Sequence, residues 1–289
     1  MYFPDRRPKH YSLMRAKNVG YTAILLFAKD STRILDIKEA EVGFGAAAMG
    51  NKGAAGLRVI YDVEGKSTEL TFVATHLAAM EWNLSRRNAN WASIMSSMTF
   101  GDPSGMVSGQ YSMSLAGDTR GEGERGPLLH DDDVTDGFET LEHLHEVSIF
   151  KPSSFLFVGG DLNYRISTTS PPPDATFPSL EEGSEDYYPK FFELDQLTKE
   201  RLAGRTLHGM TEAQVRFPPT YKYEVKPASN YNDEDMAPVQ YEFAPHRYPS
   251  WTDRILYLDI PDWVKRSNKS ARIQPGETLP TPGYGFPLR

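Results

Sequence analysis

The sequence contains no cysteine, no long apolar run and no net positive charge, and each absence excludes a class of protein. Without cysteine, the 289-residue chain forms no disulfide, no thiolate metal site and no cysteine nucleophile. No apolar run reaches the roughly 18 residues of a membrane span, and the first residues lack the apolar core of a signal peptide. The net charge of −8 argues against a broadly basic nucleic-acid surface. We therefore expect a soluble, cytoplasmic protein that binds no nucleic acid. We further expect a monomer that is able to contact membranes peripherally.

The hydrophobic content of 39% is enough for a substantial core within one large α/β domain. Runs rich in β-branched and aromatic residues, bounded by glycines, predict strands. One stretch places its apolar residues at helical spacing, and another reads as an amphipathic helix capped by Gly204. Strands separated by helices indicate an α/β sandwich. The predicted strands cover 21–29, 56–61, 70–75 and 155–158, and the predicted helices begin near residue 84 and cover 191–202.

Three segments depart from this pattern in composition and predict insertions. Residues 99–136 are dominated by Gly, Ser, Met and Asp, residues 168–186 are rich in Pro and acidic residues, and residues 226–245 form a third such segment. We therefore predict one domain over residues 1–258, interrupted three times, and an irregular tail over 259–289.

The chemically most informative segment follows the predicted strand at 155–158. Its sequence, GGDLNYRI over 159–166, sets Asp161 and Asn163 two residues apart, so both side chains can turn toward one cleft. A carboxylate and a carboxamide held at the end of a strand could orient a water molecule and hydrogen-bond a phosphoryl oxygen. The alternative is an Asp-Asn turn closed by a salt bridge with Arg165.

Four other segments set polar residues beside glycine, alanine, proline or tryptophan. Together with GDLNYR they resemble the inositol polyphosphate 5-phosphatase family, a branch of the endonuclease/exonuclease/phosphatase superfamily, from about Tyr11 to about Tyr257. The resemblance implies two packed mixed β-sheets flanked by helices. It also implies a phosphoric monoester hydrolase that removes the 5-phosphate of phosphatidylinositol 4,5-bisphosphate-type lipids or soluble inositol phosphates by metal-assisted attack of water. The four segments are GNKG at 50–53, THLAA at 75–79, FPPTYKY at 217–223 and PSWTDRIL at 249–256.

The resemblance implies four catalytic residues. Asp161 would orient or deprotonate the water, Asn163 would hold a phosphoryl oxygen, and His76 would contact the phosphate. Asp253 would support a downstream histidine, as a carboxylate does in a catalytic triad. Considered without the family, His76 is more simply a core histidine, and Asp253 is an ion-pair partner of Arg254.

The resemblance also implies four residues that bind substrate. Lys52, between an asparagine and a glycine, would line the phosphate-binding cleft, although it could equally be a turn lysine. Tyr221 and Lys222 follow two prolines that stiffen their loop, and they would contact the phosphate next to the scissile one, which favours vicinal 4,5-phosphates. Arg247 occupies the place of a basic residue that faces substrate. For Arg165 we favour a structural role.

Two motifs of the family are missing. In the family, a Gln-Glu motif whose glutamate binds Mg²⁺ precedes the GNKG segment, whereas the first glutamine here is Gln110. A Ser-Asp-His motif follows the DRIL segment in the family, whereas the last histidine here is His246. Glu39 and Glu41 look like poor substitutes for the missing glutamate. The family therefore implies Mg²⁺, but its ligands in this chain stay unassigned.

These losses leave several hypotheses open. We expect a domain shortened at both ends and therefore incomplete at its termini. The leading hypothesis is the 5-phosphatase lineage, and the alternative is a catalytically dead phosphoinositide-binding pseudophosphatase. A nuclease of the same superfamily is disfavoured by the PPTYKY segment and the acidic charge. Hydrolysis without the metal carboxylate and the histidine should lose many powers of ten, since such groups act as a unit.

Overall fold

The chain folds around a five-stranded sheet, as the computed structural model shows for residues 10–45, 51–102, 144–225 and 241–265. The strands are β1 (Ser12–Val19), β2 (Thr22–Ala28), β3 (Ile34–Gly43), β4 (Gly53–Val63), β5 (Lys66–His76), β6 (Ser154–Asp161), β7 (Tyr223–Val225), β8 (Tyr241–Phe243) and β9 (Asp253–Leu258). The main helices are α1 (Leu84–Ser97) and α2 (Gln196–Leu202), and 3-10 helices span Ser31–Arg33 and Tyr188–Leu194. None of the described helices is long and apolar enough to cross a membrane.

The central sheet has the strand order β3–β4–β5–β6–β9. Its β5 and β6 are parallel, whereas the other neighbouring strands are antiparallel. Because β5 and β6 run in the same direction, their last residues, His76 and Asp161, lie at the same edge of the sheet. The first residue of β9, Asp253, pairs with Asp161 in the antiparallel register. One edge of the sheet therefore collects the polar strand ends.

The two faces of the sheet are covered by different layers. Alternate residues of β3, Ala40 and Val42, join the core cluster that includes Trp91 and Ile94 of α1. Glu39 and Glu41, which alternate with them, face the antiparallel β1–β2 pair, which lies against β3, β4 and β5. The predicted α/β sandwich is confirmed, and the described part of its second layer is the β1–β2 pair.

The helix predicted over 191–202 is two helices, because the chain leaves helical geometry at Asp195. This residue has ψ 118°, and its carboxylate accepts a hydrogen bond of 2.8 Å from the backbone N–H of Thr198, which caps α2. Gly204 follows the last turn of α2 with φ 67°, the left-handed conformation that commonly ends a helix. Apolar spacing alone did not reveal the capping residue.

The structure moves two of the predicted insertion boundaries. Phe100, assigned to the first insertion, is buried, and its N–H donates to the carbonyl of Val147 at 2.7 Å. The rest of that insertion from residue 103 onward lies outside the described residues. In the third predicted insertion, residues 226–240 also lie outside them, but the segment that follows forms β8, which pairs with β7. Core packing and strand pairing therefore extend further than composition indicated.

The second predicted insertion and the tail are largely irregular where they are described. Residues 168–186 contain no helix or extended strand. In the predicted tail, a short helical turn at 262–265 buries Val264, so the chain remains attached to the domain beyond β9. Residues 266–289 lie outside the described residues.

A buried ion-pair network ties β9 to α2. The guanidinium of Arg254 lies 3.1 Å from a carboxylate oxygen of Asp195 and makes bonds of 2.6 and 2.7 Å to the two carboxylate oxygens of Glu212. Burial opposes the charge, but the bonds to Glu212 and the charge of Asp195 outweigh it and raise the pKa of Arg254. Arg254 therefore does not form the ion pair with Asp253 that the sequence offered as an alternative.

We predict that Arg254→Met lowers the free energy of unfolding by about 3–5 kcal/mol, because Asp195 and Glu212 would stay buried without their cation. Urea unfolding followed by circular dichroism measures the change. The matched control is Arg33→Met, which breaks a 3.3 Å pair with Asp30 that is largely exposed and should cost less than about 1 kcal/mol. Equal losses in the two variants would show that the buried network adds nothing.

Candidate active site

The polar edge of the sheet brings three of the predicted catalytic residues into one row. His76 pairs with Gly53 across β4 and β5, and Asp161 pairs with Asp253 across β6 and β9. The Nε2 atom of His76 lies 3.2 Å from a carboxylate oxygen of Asp161. The N–H of Leu77 donates to the carbonyl of Asp161 at 3.0 Å, which fixes the two strand ends against each other. Residues far apart in sequence therefore meet here through strand pairing.

Lys52 joins this row from the residue before β4. Its Nζ contacts Nε2 of His76, the same nitrogen that faces Asp161. A neutral imidazole nitrogen either accepts or donates a hydrogen bond, so Nε2 accepts from Lys52 or donates to Asp161. Burial lowers the pKa of Lys52, the charge of Asp161 partly offsets this, and the charge of Arg165 lowers the pKa further. An anion beside Lys52 would stabilise its charged form.

Asn163 is almost completely buried and is held from three sides. It has φ 56°, and its N–H donates to the carboxylate of Asp161 at 3.0 Å. Its Nδ2 donates to the carbonyl of Leu77 at 3.1 Å, and its Oδ1 accepts from the guanidinium of Arg165. Arg165 is itself buried and stacks on the ring of Tyr221 at 3.9 Å. The carboxamide is therefore fixed, with one Nδ2 hydrogen left for a ligand.

The glycine before Asp161 is required by the close approach of β6 to β5. Gly160 has φ 129°, and a Cβ atom at this position would overlap the carbonyl oxygen of Thr75. Thr75 in turn donates through its hydroxyl to the carbonyl of Gly53 at 3.1 Å. The backbones of three strands are thus packed tightly immediately behind the polar row.

Asp253 lies on the same row, but its side chain is exposed. Its carboxylate accepts a bond of 3.0 Å from the hydroxyl of Thr252, and its N–H donates to the hydroxyl of Thr220 at 3.2 Å. Both threonines went unnoticed in the sequence, where they stand inside the PPTYKY and PSWTDRIL segments. Asp253 is therefore oriented toward the site by its strand position and by local hydrogen bonds.

The loop with the predicted substrate contacts is attached to the segment before β9. Tyr221 and Ser250 exchange backbone hydrogen bonds of 3.1 and 2.7 Å, and the carbonyl of Lys222 accepts from Ala244 at 2.9 Å. The ammonium group of Lys222 makes no hydrogen bond or ion pair with any described residue. Its charge is therefore free to meet an anion.

Arg247 contacts Glu81 rather than standing free. The two charged groups lie 3.6 Å apart, and the hydroxyl of Ser170 donates to the same Glu81 oxygen at 2.6 Å. Burial alone would raise the pKa of Glu81, but the bond from Ser170 and the charges of Arg247 and Arg165 lower it. Glu81, which lies in the loop after His76, was not among the residues predicted from the sequence.

The described residues do not assemble a complete Mg²⁺ site by themselves. No group of three or more His, Asp or Glu side chains is placed to hold a metal ion in the described ranges, and Mg²⁺ bound by fewer protein carboxylates would need waters and substrate phosphates to complete its octahedral geometry. Glu39 pairs with Arg15 at 3.1 Å and Glu41 with Lys17 at 2.6 Å. These two acids lie on β3, about 10 Å from β5 at the usual strand spacing, so they do not replace the missing ligand.

Comparison with known proteins decides the family. The family model described as "Endonuclease/Exonuclease/phosphatase family 2" matches residues 3–273. The chain belongs to this family. Its relatives are named for 5-phosphatase activity, which confirms the resemblance predicted from the sequence.

The chain is 29% identical over 255 residues to inositol-1,4,5-trisphosphate 5-phosphatase 1 of Schizosaccharomyces pombe, an overlap of 86% of this chain and 18% of that protein. It is 34% identical over 229 residues to type II inositol polyphosphate 5-phosphatase 15 of Arabidopsis thaliana, covering 78% of this chain and 18% of that protein. Both matches thus span less than a fifth of the relative's length.

Among solved structures, the chain is similar to the inositol polyphosphate 5-phosphatase domain of SPsynaptojanin, crystallised with inositol (1,4)-bisphosphate and a calcium ion. The TM-score is 0.51 at 26% identity, and the match covers 86% of this chain and 54% of that one. This likeness confirms the endonuclease/exonuclease/phosphatase fold.

We predict that the pKa of Lys52 lies below the ordinary lysine value of 10.5, because burial disfavours its charged form. Titration of the lysine side-chain signals by NMR, assigned with Lys52→Arg, measures this pKa. Asp161→Asn should lower it further, since the Asp161 charge raises it, and Arg165→Gln should raise it. A midpoint at or above the ordinary value would contradict the prediction.

Proposed function

We propose that this chain contains the phosphate-binding and water-orienting residues of an inositol polyphosphate 5-phosphatase. Its substrate would be an inositol phosphate, or the head group of a phosphoinositide, that carries phosphates at positions 4 and 5. The observation that carries the proposal is the contact of Lys52 and Asp161 with His76 at one edge of the sheet. The names of the curated relatives and the inositol (1,4)-bisphosphate in the synaptojanin domain support it.

The 5-phosphate would bind beside Lys52 and His76, next to the segment that contains Asn163. Lys52 would donate to it, and the Nδ2 hydrogen of Asn163 that does not bond to Leu77 would be a second donor. Asp161 accepts from the N–H of Asn163 through one carboxylate oxygen and faces His76 with the other. Its remaining lone pairs would orient the attacking water, while the fixed donors stabilise the charge that develops on the phosphoryl oxygens.

The neighbouring 4-phosphate would bind at Lys222. This ammonium group makes no hydrogen bond or ion pair with the described residues, and its loop is anchored by Tyr221 on Ser250. Arg247 would contribute less, since Glu81 already partly neutralises it. A bound 4-phosphate would thus find one free cation, which supports a preference for vicinal phosphates.

The proposed steps use only side chains of this chain, because the described residues do not assemble a metal site. A divalent ion would supply further neutralisation of the transferred phosphoryl group. The ion pairs of Glu39 and Glu41 with β1 therefore favour a second candidate, a protein that binds inositol phosphates without turning them over. Binding needs complementary charge, whereas turnover needs stabilisation specific to the transition state.

The two candidates are separated by measuring binding and hydrolysis on the same preparation. Calorimetry with inositol 1,4,5-trisphosphate measures binding, and phosphate release from this compound and from phosphatidylinositol 4,5-bisphosphate vesicles measures turnover, with and without Mg²⁺. We expect binding in all cases. Release abolished by Asp161→Asn would identify an enzyme, and binding without release would identify a pseudophosphatase. Cleavage of single-stranded DNA, or no binding, would overturn the proposal.

We predict that Lys222→Ala weakens binding of a 4,5-bisphosphorylated inositol about 10- to 100-fold, the range for losing one charge-assisted hydrogen bond. Binding of a 5-monophosphate should change little, because the lost contact is to the 4-phosphate. Calorimetry with the two ligands measures the difference. Lys199→Ala, which removes an exposed lysine of α2, is the control and should leave both affinities unchanged. An equal loss for both ligands would place Lys222 elsewhere in the site.

A further inference from the structure

Several backbone carbonyls of the loop that follows His76 are held by one buried side chain of α1, that of Arg87. Arg87 is fully buried, and its Nη1 donates to the carbonyl oxygens of Ala78 at 3.2 Å and Met80 at 2.6 Å. Its Nη2 donates to the carbonyl of Glu81 at 3.3 Å. Three carbonyls that converge on one point need several donors in a fixed fork, which a guanidinium provides.

The segment that follows Asp161 is held by the first residue of α2. Gln196 is buried, and its Oε1 accepts from the N–H of Arg165 at 2.9 Å, while its Nε2 donates to the carbonyl of Ser167 at 2.8 Å. Its own N–H donates to the carbonyl of Arg165 at 2.9 Å. Backbone and side chain of Gln196 thus grip the same short segment from three sides.

The two holding residues also bind each other. Nη2 of Arg87 donates to Oε1 of Gln196 at 2.9 Å. The side-chain oxygen of Gln196, Oε1, therefore accepts two hydrogen bonds, one from Arg87 and one from the N–H of Arg165. These bonds use both of its lone pairs. Neither side chain is exposed, so both act on the cleft only through the backbone that they hold.

We propose that Arg87 and Gln196 are a positioning pair that fixes the loop after His76 against the segment that contains Asn163. The bond from Nδ2 of Asn163 to the carbonyl of Leu77 crosses the same gap, and it survives only if the two backbones keep their separation. The consequence for phosphate binding rests on the proposed function, whereas the coupling of the two segments does not.

The chemistry of the pair defines the variants. Arg87→Lys keeps the charge but replaces a fork of donors by one ammonium group, so the converging carbonyls lose partners. Gln196→Met keeps the size and removes both polar atoms. Gln196→Glu keeps an acceptor for Arg87 and Arg165 but loses the donor to Ser167, and it should retain most of the coupling.

A matched control lies elsewhere in the fold. Arg58 is also buried and also donates to two backbone carbonyls, those of Glu146 and Ser148. Its other contacts are with Thr71, Glu69 and Phe100, on β5 and beside the core rather than at the cleft. Arg58→Lys should therefore cost comparable stability without joining the two segments.

Hydrogen exchange at single amides tests the coupling directly. The N–H of Ala78 donates to the side chain of Asn90, and the N–H of Asn163 to Asp161, so both report on their own segments. We expect Arg87→Lys to accelerate exchange of Asn163 at least tenfold, and Gln196→Met to do the same for Ala78. Arg58→Lys should change neither. The proposal would be overturned if Arg87→Lys accelerated hydrogen exchange only at Ala78, and Gln196→Met only at Asn163.

Ligand affinity then tests the consequence for the site. Arg87→Lys and Gln196→Met should each lower the affinity for inositol 1,4,5-trisphosphate and for a 5-monophosphate by the same factor, about tenfold. Lys222→Ala, in contrast, should lower mainly the affinity for the ligand that carries a 4-phosphate. The double variant should be no weaker than the worse single variant, because both residues serve one link. If the wild-type chain binds neither ligand but the cross-segment exchange effect is present, the positioning pair stands and the proposed function fails. Weakened binding without that effect would refute the pair.

Discussion

The parallel pairing of β5 with β6 is the constraint on which the rest of the site depends. A parallel pair places both carboxyl ends at one edge of the sheet, so the residues at those ends, His76 and Asp161, come within 3.2 Å of each other. Antiparallel β4 then contributes its amino end with Lys52, and antiparallel β9 does the same with Asp253. The predicted catalytic residues at strand ends, His76, Asp161 and Asp253, therefore lie at one edge of the sheet because β5 and β6 run in the same direction.

Buried arginines hold the elements around this edge. Arg87 binds the carbonyls of an irregular loop, Arg58 binds those of the segment before β6, and Arg254 neutralises two acids between β9 and α2. In each place the backbone or carboxylate oxygens are buried away from water. A buried acceptor without a hydrogen-bond partner costs about 1–3 kcal/mol. A planar cation with five donors meets several such oxygens at once. The polar edge is thus supported by charge buried on the helical side of the sheet, opposite the β1–β2 pair.

The strand and the helix periods, and the segments that hold the candidate site, could be predicted from the sequence. The strand ending at His76 and the one ending at Asp161 were visible as apolar runs followed by polar residues. The long-range partners could not be predicted in this way. Nothing local indicates that Gln196 meets Arg87, or that Glu81 meets Arg247, since these pairs are set by tertiary packing. The break at Asp195 was missed for a different reason, because apolar spacing continues smoothly through a residue that caps one helix and ends another.

The charge of the site supports the proposal that this chain binds phosphates more readily than it hydrolyses them. Lys52 and Lys222 have no carboxylate salt bridge among the described residues, whereas Glu39 and Glu41 are already paired with Arg15 and Lys17 of β1. The two lysines are therefore available to bind a phosphate, whereas Glu39 and Glu41 are already in ion pairs and are not available to bind a divalent cation. Affinity for an anionic head group requires only the first condition. Chemistry on the phosphoryl group also requires stabilisation that appears as the bond breaks, and in the described residues that falls to His76, Asn163 and Lys52 alone. His76 and Asn163 contact Asp161, and Lys52 contacts His76, so these donors are held in place before the ligand arrives and little reorganisation is needed on binding.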